Sequence, residues 1–226
     1  MSLASHSVFQ TDFVLDAGPV IPVLTLHDDE ALLPLADALV AGGLKVFEVV
    51  LRTPDALGVI DKLRPLVPIL GAGTVLEAAQ MHAAKAAGAQ FCVCPGLTPA
   101  LHAAALELAM PLLPGAVTAS EVMAARELGY KNLKFFPAER SGGSQALADL
   151  GAVFPDIRFC PTGGVSVDNA AAYLRNRNVA CVGGTLATPQ QLVQARDWAG
   201  LTAHVREMLR SLDLQPVSRS TLPEVL

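Results

Sequence analysis

A lysine enclosed by large apolar neighbours, and a glutamate set inside a second apolar run, are the residues of this sequence best suited to chemistry. In Asn132-Leu133-Lys134-Phe135-Phe136-Pro137 the lysine is surrounded by three bulky hydrophobes. Water reaches an ammonium poorly in such surroundings, and burial disfavours the charged form of an amine. A neutral amine is the nucleophile that Schiff-base formation with a carbonyl needs, and a carboxylate is the natural partner for moving its protons. Glu48, in Val46-Phe47-Glu48-Val49-Val50-Leu51-Arg52-Thr53, fits that second role. Strand alternation places Glu48 and Arg52 on one face together with Val46 and Val50, so an inward-pointing face carries both to the same site. The competing reading is a structural ion pair between Lys134 and Glu48, a weak stabilising device.

Glycine and hydroxyl residues cluster at Gly71-Ala72-Gly73-Thr74, Cys94-Pro95-Gly96, Thr162-Gly163-Gly164 and Gly183-Gly184-Thr185. The last two clusters follow the last two strand candidates, where α/β barrels commonly hold phosphate on backbone N–H groups and a helix N-terminus. The alternative is an ordinary tight βα turn. His6, His27, His82, His102 and His204 fall in helices or tails, away from strand C-termini, and read as surface residues. With no histidine cluster and no carboxylates at ligand spacing, no metal and no cofactor are expected. Cys92, Cys94, Cys160 and Cys181 lie inside apolar runs and read as reduced core residues.

The elements that must position these residues are short apolar runs alternating with Ala- and Leu-rich helical stretches, the pattern of βα units on a parallel sheet. Strands are expected at 20–24, 46–51, 69–71, 91–94, 112–113, 133–136, 158–160 and 180–182. Helices are expected at 29–41, 77–87, 99–109, 120–128 and 166–174, with Gly42, Gly88 and Gly129 as C′ residues and Thr118, Ser120 and Ser166 as N-caps. Eight units in 226 residues predict an α/β fold, a single (β/α)₈ TIM barrel, rather than an open doubly wound sheet. The whole chain, 1–226, is read as one domain with its barrel core at about 18–212, a short N-terminal extension and an irregular tail at 215–226.

With 52% hydrophobic and 16% charged residues, a lone subunit has few polar side chains to cover its outside, which favours a homo-oligomer. A formal charge of −5 without a Lys/Arg cluster argues against nucleic acid as a partner. No apolar run is long enough to span a bilayer, and the N-terminal residues lack a signal-peptide pattern, so a cytoplasmic location and no membrane partner are expected.

From about Gly18 to Met208 the chain resembles the 2-keto-3-deoxy-6-phosphogluconate (KDPG) aldolase / 4-hydroxy-2-oxoglutarate (KHG) aldolase family. The resemblance is carried by Pro19-Val20-Ile21-Pro22-Val23, Ala41-Gly42-Gly43, Glu48 to Thr53, Gly71-Ala72-Gly73-Thr74-Val75 and Pro95-Gly96-Leu97-Thr98-Pro99. It continues through Lys134-Phe135-Phe136-Pro137-Ala138-Glu139 and Phe159-Cys160-Pro161-Thr162-Gly163-Gly164-Val165. It implies a metal-independent class I aldolase in which Lys134 forms the imine and Glu48 transfers protons. It further implies that Arg52, Thr53 and Thr74 contact or shape the pyruvate end, that Pro95 and Phe136 wall the imine, and that Thr162, Gly163, Gly164, Gly184 and Thr185 take the phosphate. The implied reaction is cleavage of 2-dehydro-3-deoxy-6-phosphogluconate to pyruvate and D-glyceraldehyde 3-phosphate in the Entner-Doudoroff pathway. The C4 epimer and 4-hydroxy-2-oxoglutarate share the same pyruvate half and stay open as substrates. A homotrimer is implied as well. Two departures from the family pattern stand out: Leu186 follows Thr185 where many relatives carry tryptophan, and Cys94 replaces a frequent serine.

Two rival readings remain at this stage. A phosphosugar isomerase or epimerase shares the phosphate site but has no need of an amine buried among apolar neighbours, and a non-catalytic phosphate-binding module has no need of Lys134 or Glu48.

Overall fold

The computed structural model describes residues 10–27 and 30–213. A short helix, α1 (Asp12–Leu15), precedes the first strand. Eight strands then alternate with helices: β1 (Val20–Leu24), α2 (Leu32–Gly42), β2 (Val46–Val50), α3 (Ala56–Leu63), β3 (Ile69–Gly73), α4 (Ala78–Ala86), β4 (Phe91–Cys94), α5 (Pro99–Glu107), β5 (Leu112–Pro114), α6 (Ala119–Glu127) and β6 (Asn132–Phe135). A 3₁₀ turn (Glu139–Ser141), α7 (Gly143–Val153), β7 (Arg158–Pro161), α8 (Val167–Leu174), β8 (Val182–Gly184), α9 (Gln190–Gln194) and α10 (Trp198–Asp213) complete the order.

All strand pairs are parallel, and the order is β5-β4-β3-β2-β1-β8 in a curled six-stranded sheet, with β6-β7 as a second sheet. The single continuous eight-stranded barrel expected from the sequence is therefore not what the ladders draw. At the two seams contact narrows to isolated bridges, Gly115 with Lys134 on one side and Thr162 with Gly183 on the other. The physical reason lies in the flanking strands. Both β5 and β8 are three residues long; β5 ends on Pro114, which has no N–H to donate, and β8 ends on two glycines.

Strands buried on both faces explain the near-continuous apolar runs: every residue of β2 and β4 is buried. Each helix turns one stripe inward. In α3, Ala56, Val59, Ile60 and Leu63 are buried at helical spacing while Asp61 and Lys62 face water. Fully burying a side chain such as Phe47 or Leu39 stabilises the fold by roughly 1.5 to 3 kcal/mol. Inside the strands, Ile21, Val46, Phe91, Val93, Leu113 and Cys160 form a second apolar cluster, and Val14 and Leu15 of α1 join it from the N-terminal side.

Several local expectations change. Gly42 is the last residue of α2 rather than its C′ residue; Gly43 takes the left-handed conformation at φ 111°. The glycine at 42 answers to packing, because a Cβ there falls 2.6 Å from Val205 of α10. Gly88 and Gly129 do end their helices with positive φ. Thr118 and Ser166 are N-caps, whereas Ser120 lies within α6 because Thr118 makes the capping box with Glu121. The proposed tail at 215–226 and His6 lie outside the described residues. Among the described residues, no helix is long and apolar enough to cross a membrane.

Candidate active site

Strands β2 and β6 belong to different sheets, yet they bring Glu48 and Lys134 together. The Nζ of Lys134 donates a hydrogen bond of 3.0 Å to Glu48 Oε1, and the two side chains are 8% and 4% exposed. Room for the carboxylate comes from β3, where a Cβ on Gly73 falls within 2.6 Å of Glu48 Cγ and closer still to Oε1. The ring of Phe136 stands 5.6 Å from Nζ, at the outer reach of a cation–π contact. The two charges found by their placement in apolar runs thus meet as a buried pair that can pass a proton between nitrogen and oxygen.

Cys94 ends β4 near this pair. Burial pushes its thiol up to about 11 despite the opposing pull of the Gly115 backbone and the Lys134 charge, so it stays a neutral thiol. Burial likewise pushes Cys92 up to about 12. Among the described residues all four cysteines are free and buried.

Residues assigned to the pyruvate end differ in exposure, and of them Phe136 is in contact range of the Lys134 amine. Arg52 leaves the alternation that was expected to carry it, since β2 stops at Val50 and the Arg52 N–H turns back to the Val50 carbonyl at 2.8 Å. Its side chain is exposed. The Thr53 hydroxyl donates to the Leu26 carbonyl at 3.0 Å, which ties the β2–α3 connection to the end of β1. Thr74 has a φ of +58°, a left-handed conformation that costs a β-branched residue roughly 1 to 3 kcal/mol and that concentrates at functional sites. Pro95 is exposed beside Gly115, whose missing Cβ leaves space for the Pro95 carbonyl. Phe136 packs on the turn after β7, 3.1 Å from where a Cβ on Gly163 would stand.

At the seam between β7 and β8 the two glycine turns lie side by side. Thr162 is buried and bridges to Gly183, whose lack of a side chain leaves space for the Thr162 hydroxyl. Gly163 and Gly164 follow with φ of 96° and 82°, the conformation that lets the chain turn into the N-terminus of α8. Gly184 ends β8 and Thr185 is exposed just beyond it. Leu186 is buried and packs in the main core.

His27 corrects the expectation that the histidines avoid strand C-termini. It lies three residues beyond β1, exposed, with Nδ1 3.9 Å from Asp55. His102 and His204 are half-buried and bonded, Nδ1 of His102 to the Tyr130 hydroxyl at 3.1 Å and Nε2 of His204 to the Leu186 carbonyl at 2.9 Å.

The family model described as KDPG and KHG aldolase matches residues 11–204. The chain belongs to the KDPG and KHG aldolase family. Among curated relatives of this aldolase, the 2-dehydro-3-deoxy-phosphogluconate aldolase of Pseudomonas aeruginosa is 50% identical over 84% of this chain and 87% of its own. The KHG/KDPG aldolase of Escherichia coli K12 is 44% identical over 89% and 95%. A crystal structure of KDPG aldolase from Legionella pneumophila, with pyruvate captured at low pH as a covalent carbinolamine intermediate, superposes with a TM-score of 0.83 at 42% identity, covering 87% of this chain and 96% of that one.

Three residues that support this region without lining it were not assigned a role from sequence. Gly73 reads as one glycine of a strand-end pair, but β3 runs on to Gly73 and the residue makes room for Glu48 inside the sheet. Tyr173 and Asn169 of α8 both donate to Glu139 Oε1, Asn169 at 3.2 Å. Only Asn169 left a trace in the sequence, as the third residue after the Ser166 cap.

Proposed function

We propose that this chain is a class I aldolase that cleaves 2-dehydro-3-deoxy-6-phosphogluconate to pyruvate and D-glyceraldehyde 3-phosphate through an imine on Lys134. The observation that carries the reading is the buried 3.0 Å contact between Lys134 Nζ and Glu48 Oε1, in a chain whose family and relatives are aldolases. A proton passed from nitrogen to oxygen frees the amine to attack the keto carbon of the substrate. Glu48 returns a proton to the carbinolamine hydroxyl, water leaves, and a protonated imine forms. That imine draws electrons from the C3–C4 bond as Glu48, through a water, takes the C4 hydroxyl proton; the bond breaks and the aldehyde departs. Protonation of the enamine at C3 and hydrolysis then release pyruvate and restore the lysine.

In this reading Arg52, Thr53 and Thr74 hold or shape the pyruvate carboxylate end, Pro95 and Phe136 wall the imine, and the phosphate sits against Thr162, Gly163, Gly164, Gly184 and Thr185. The left-handed Gly163–Gly164 turn at the N-terminus of α8 supports the last assignment, because backbone N–H groups and the helix dipole favour an anion there. The KHG/KDPG name of the Escherichia coli relative supports 4-hydroxy-2-oxoglutarate as a second substrate. We infer also that the two sheets together make one closed (β/α)₈ barrel domain, which the bridges at both seams favour. Exposed Leu76, Met123 and Val153 are consistent with burial of apolar surface in a cytoplasmic homotrimer.

Borohydride reduction in the presence of pyruvate tests the chemistry. The expected result is a pyruvate-derived mass increment on the peptide carrying Lys134, absent from the Lys134→Met protein. A protein that takes no adduct under conditions that trap an authentic class I aldolase is not an imine-forming enzyme.

A further inference from the structure

The turn after β7 is fastened by a carboxylate that has no part in the chemistry above. Glu139 opens the 3₁₀ turn that follows β6, five residues after Lys134. Its backbone N–H donates to the Gly163 carbonyl at 3.1 Å, beside the 2.8 Å bond from the Ala138 N–H to the Thr162 carbonyl. Its side chain lies flat on Gly164, where a Cβ falls 2.6 Å from Glu139 Cγ. Oε1 of Glu139 accepts from the hydroxyl of Tyr173, a residue 1% exposed, and from Asn169 Nδ2 at 3.2 Å. Asn169 is itself committed on both ends: Nδ2 also donates to the Gly164 carbonyl at 3.0 Å, and Oδ1 accepts from the Ser166 N–H at 2.8 Å.

One carboxylate oxygen therefore joins the loop that leaves the Lys134 strand to the turn and to both the first and the last turn of α8. A bare carboxylate beside an anion site repels the anion, but here two donors engage it, and the tyrosine is held in its protonated, donating form by burial and by Glu139 itself.

We propose that Glu139, acting through Tyr173 and Asn169, is a positioning residue that sets the Gly163–Gly164 turn relative to Lys134 and so governs use of the phosphorylated end of the substrate without affecting imine formation. This rests on the reading of that turn as the phosphate site. The network orients main chain toward the ligand and offers it no side chain of its own, so its loss acts on phosphate recognition alone.

The test is run in the condensation direction, with pyruvate and either glyceraldehyde 3-phosphate or unphosphorylated glyceraldehyde as acceptor. In Glu139→Ala and Tyr173→Phe the KM for the phosphorylated acceptor is expected to rise about tenfold, the scale of one net hydrogen bond. The KM for glyceraldehyde, kcat, and the rate of pyruvate trapping by borohydride should stay within about twofold of the parent. Glu139→Gln keeps an oxygen acceptor for both donors and should restore most of the discrimination. Equal damage to both acceptors, or to trapping, overturns the proposal and makes Glu139 a general structural residue. Inorganic phosphate supplies the separate check on the parent protein: it should compete with glyceraldehyde 3-phosphate. Failure to compete removes the phosphate reading and the proposal with it, whereas competition with equal damage in the variants removes the proposal alone.

Discussion

The small sheet formed by β6 and β7 carries two cations with opposite fates. Lys134 on β6 pairs with Glu48 in the interior, where both side chains are less than a tenth exposed. Arg158 opens β7 two register positions earlier, and reaches Asp12 Oδ1 at 3.2 Å and the Asp16 carboxylate at the N-terminal edge, with side chains 35%, 53% and 55% exposed. An interior pair pays heavy desolvation and adds little stability, so stability alone does not account for it, and under the proposed function it has a proton to move. A pair at the wet edge carries little penalty and little gain, and it suits fastening one element to another. Two ion pairs of similar geometry can thus serve chemistry and architecture, and the surrounding dielectric tells them apart.

The strongest way to break this contrast is the double substitution Lys134→Met with Glu48→Gln. It is expected to lower kcat by at least about 10⁴-fold, the scale of losing a nucleophile, while the urea midpoint of unfolding stays the same or rises because no charge is left buried. A large loss of stability would make the pair structural after all. Gly73→Ala comes next: its methyl group displaces the Glu48 carboxylate, and misplacing a proton-transfer group by an ångström costs about 10²-fold in kcat. Borohydride trapping of pyruvate then measures whether the imine still forms, only more slowly.

Arg158→Ala should leave kcat and KM untouched and cost about 0.5 to 1 kcal/mol of stability, a deficit that shrinks in high salt because the lost pair is screened. Any change in kcat would show that the edge pair reaches the chemistry. The smallest effect is expected at Glu121, an exposed carboxylate in neither pair, whose pKa is lowered by hydrogen bonds from the Thr118 and Val117 N–H groups. A carboxyl with a depressed folded-state pKa stabilises above its unfolded value and loses that stability as pH falls through the folded one. The deficit of Glu121→Gln should therefore be present at neutral pH and vanish in acid, as thermal unfolding across that range would report.

Lys134 and Glu48 were legible because a charge inside an apolar run is rare and because alternation fixes which way it points. The same rule says nothing about Arg52, since alternation holds only while the strand lasts and β2 ends at Val50. Composition and hydrophobic spacing located all eight strands to within two residues at either end, but the seams of the sheet depend on Pro114 and on the short glycine-ended β8, which affect hydrogen bonding rather than hydrophobicity. The role of Gly73 stayed hidden for a similar reason: a missing side chain gains meaning only from the neighbour that fills the space. The Glu139 network joins residues 30 and 34 positions apart, and no local periodicity points across that distance.

The bond from Arg158 to Asp12 spans 146 positions of chain. During synthesis α1 leaves the ribosome well before Arg158, which pairs with its charges, and before Cys160 and Cys181, which complete the cluster around Val14 and Leu15. At cellular elongation rates that interval is on the order of ten seconds. The long-range contact at the N-terminal edge therefore closes late, and α1 reaches its full set of partners only when β7 and the residues before β8 have been made.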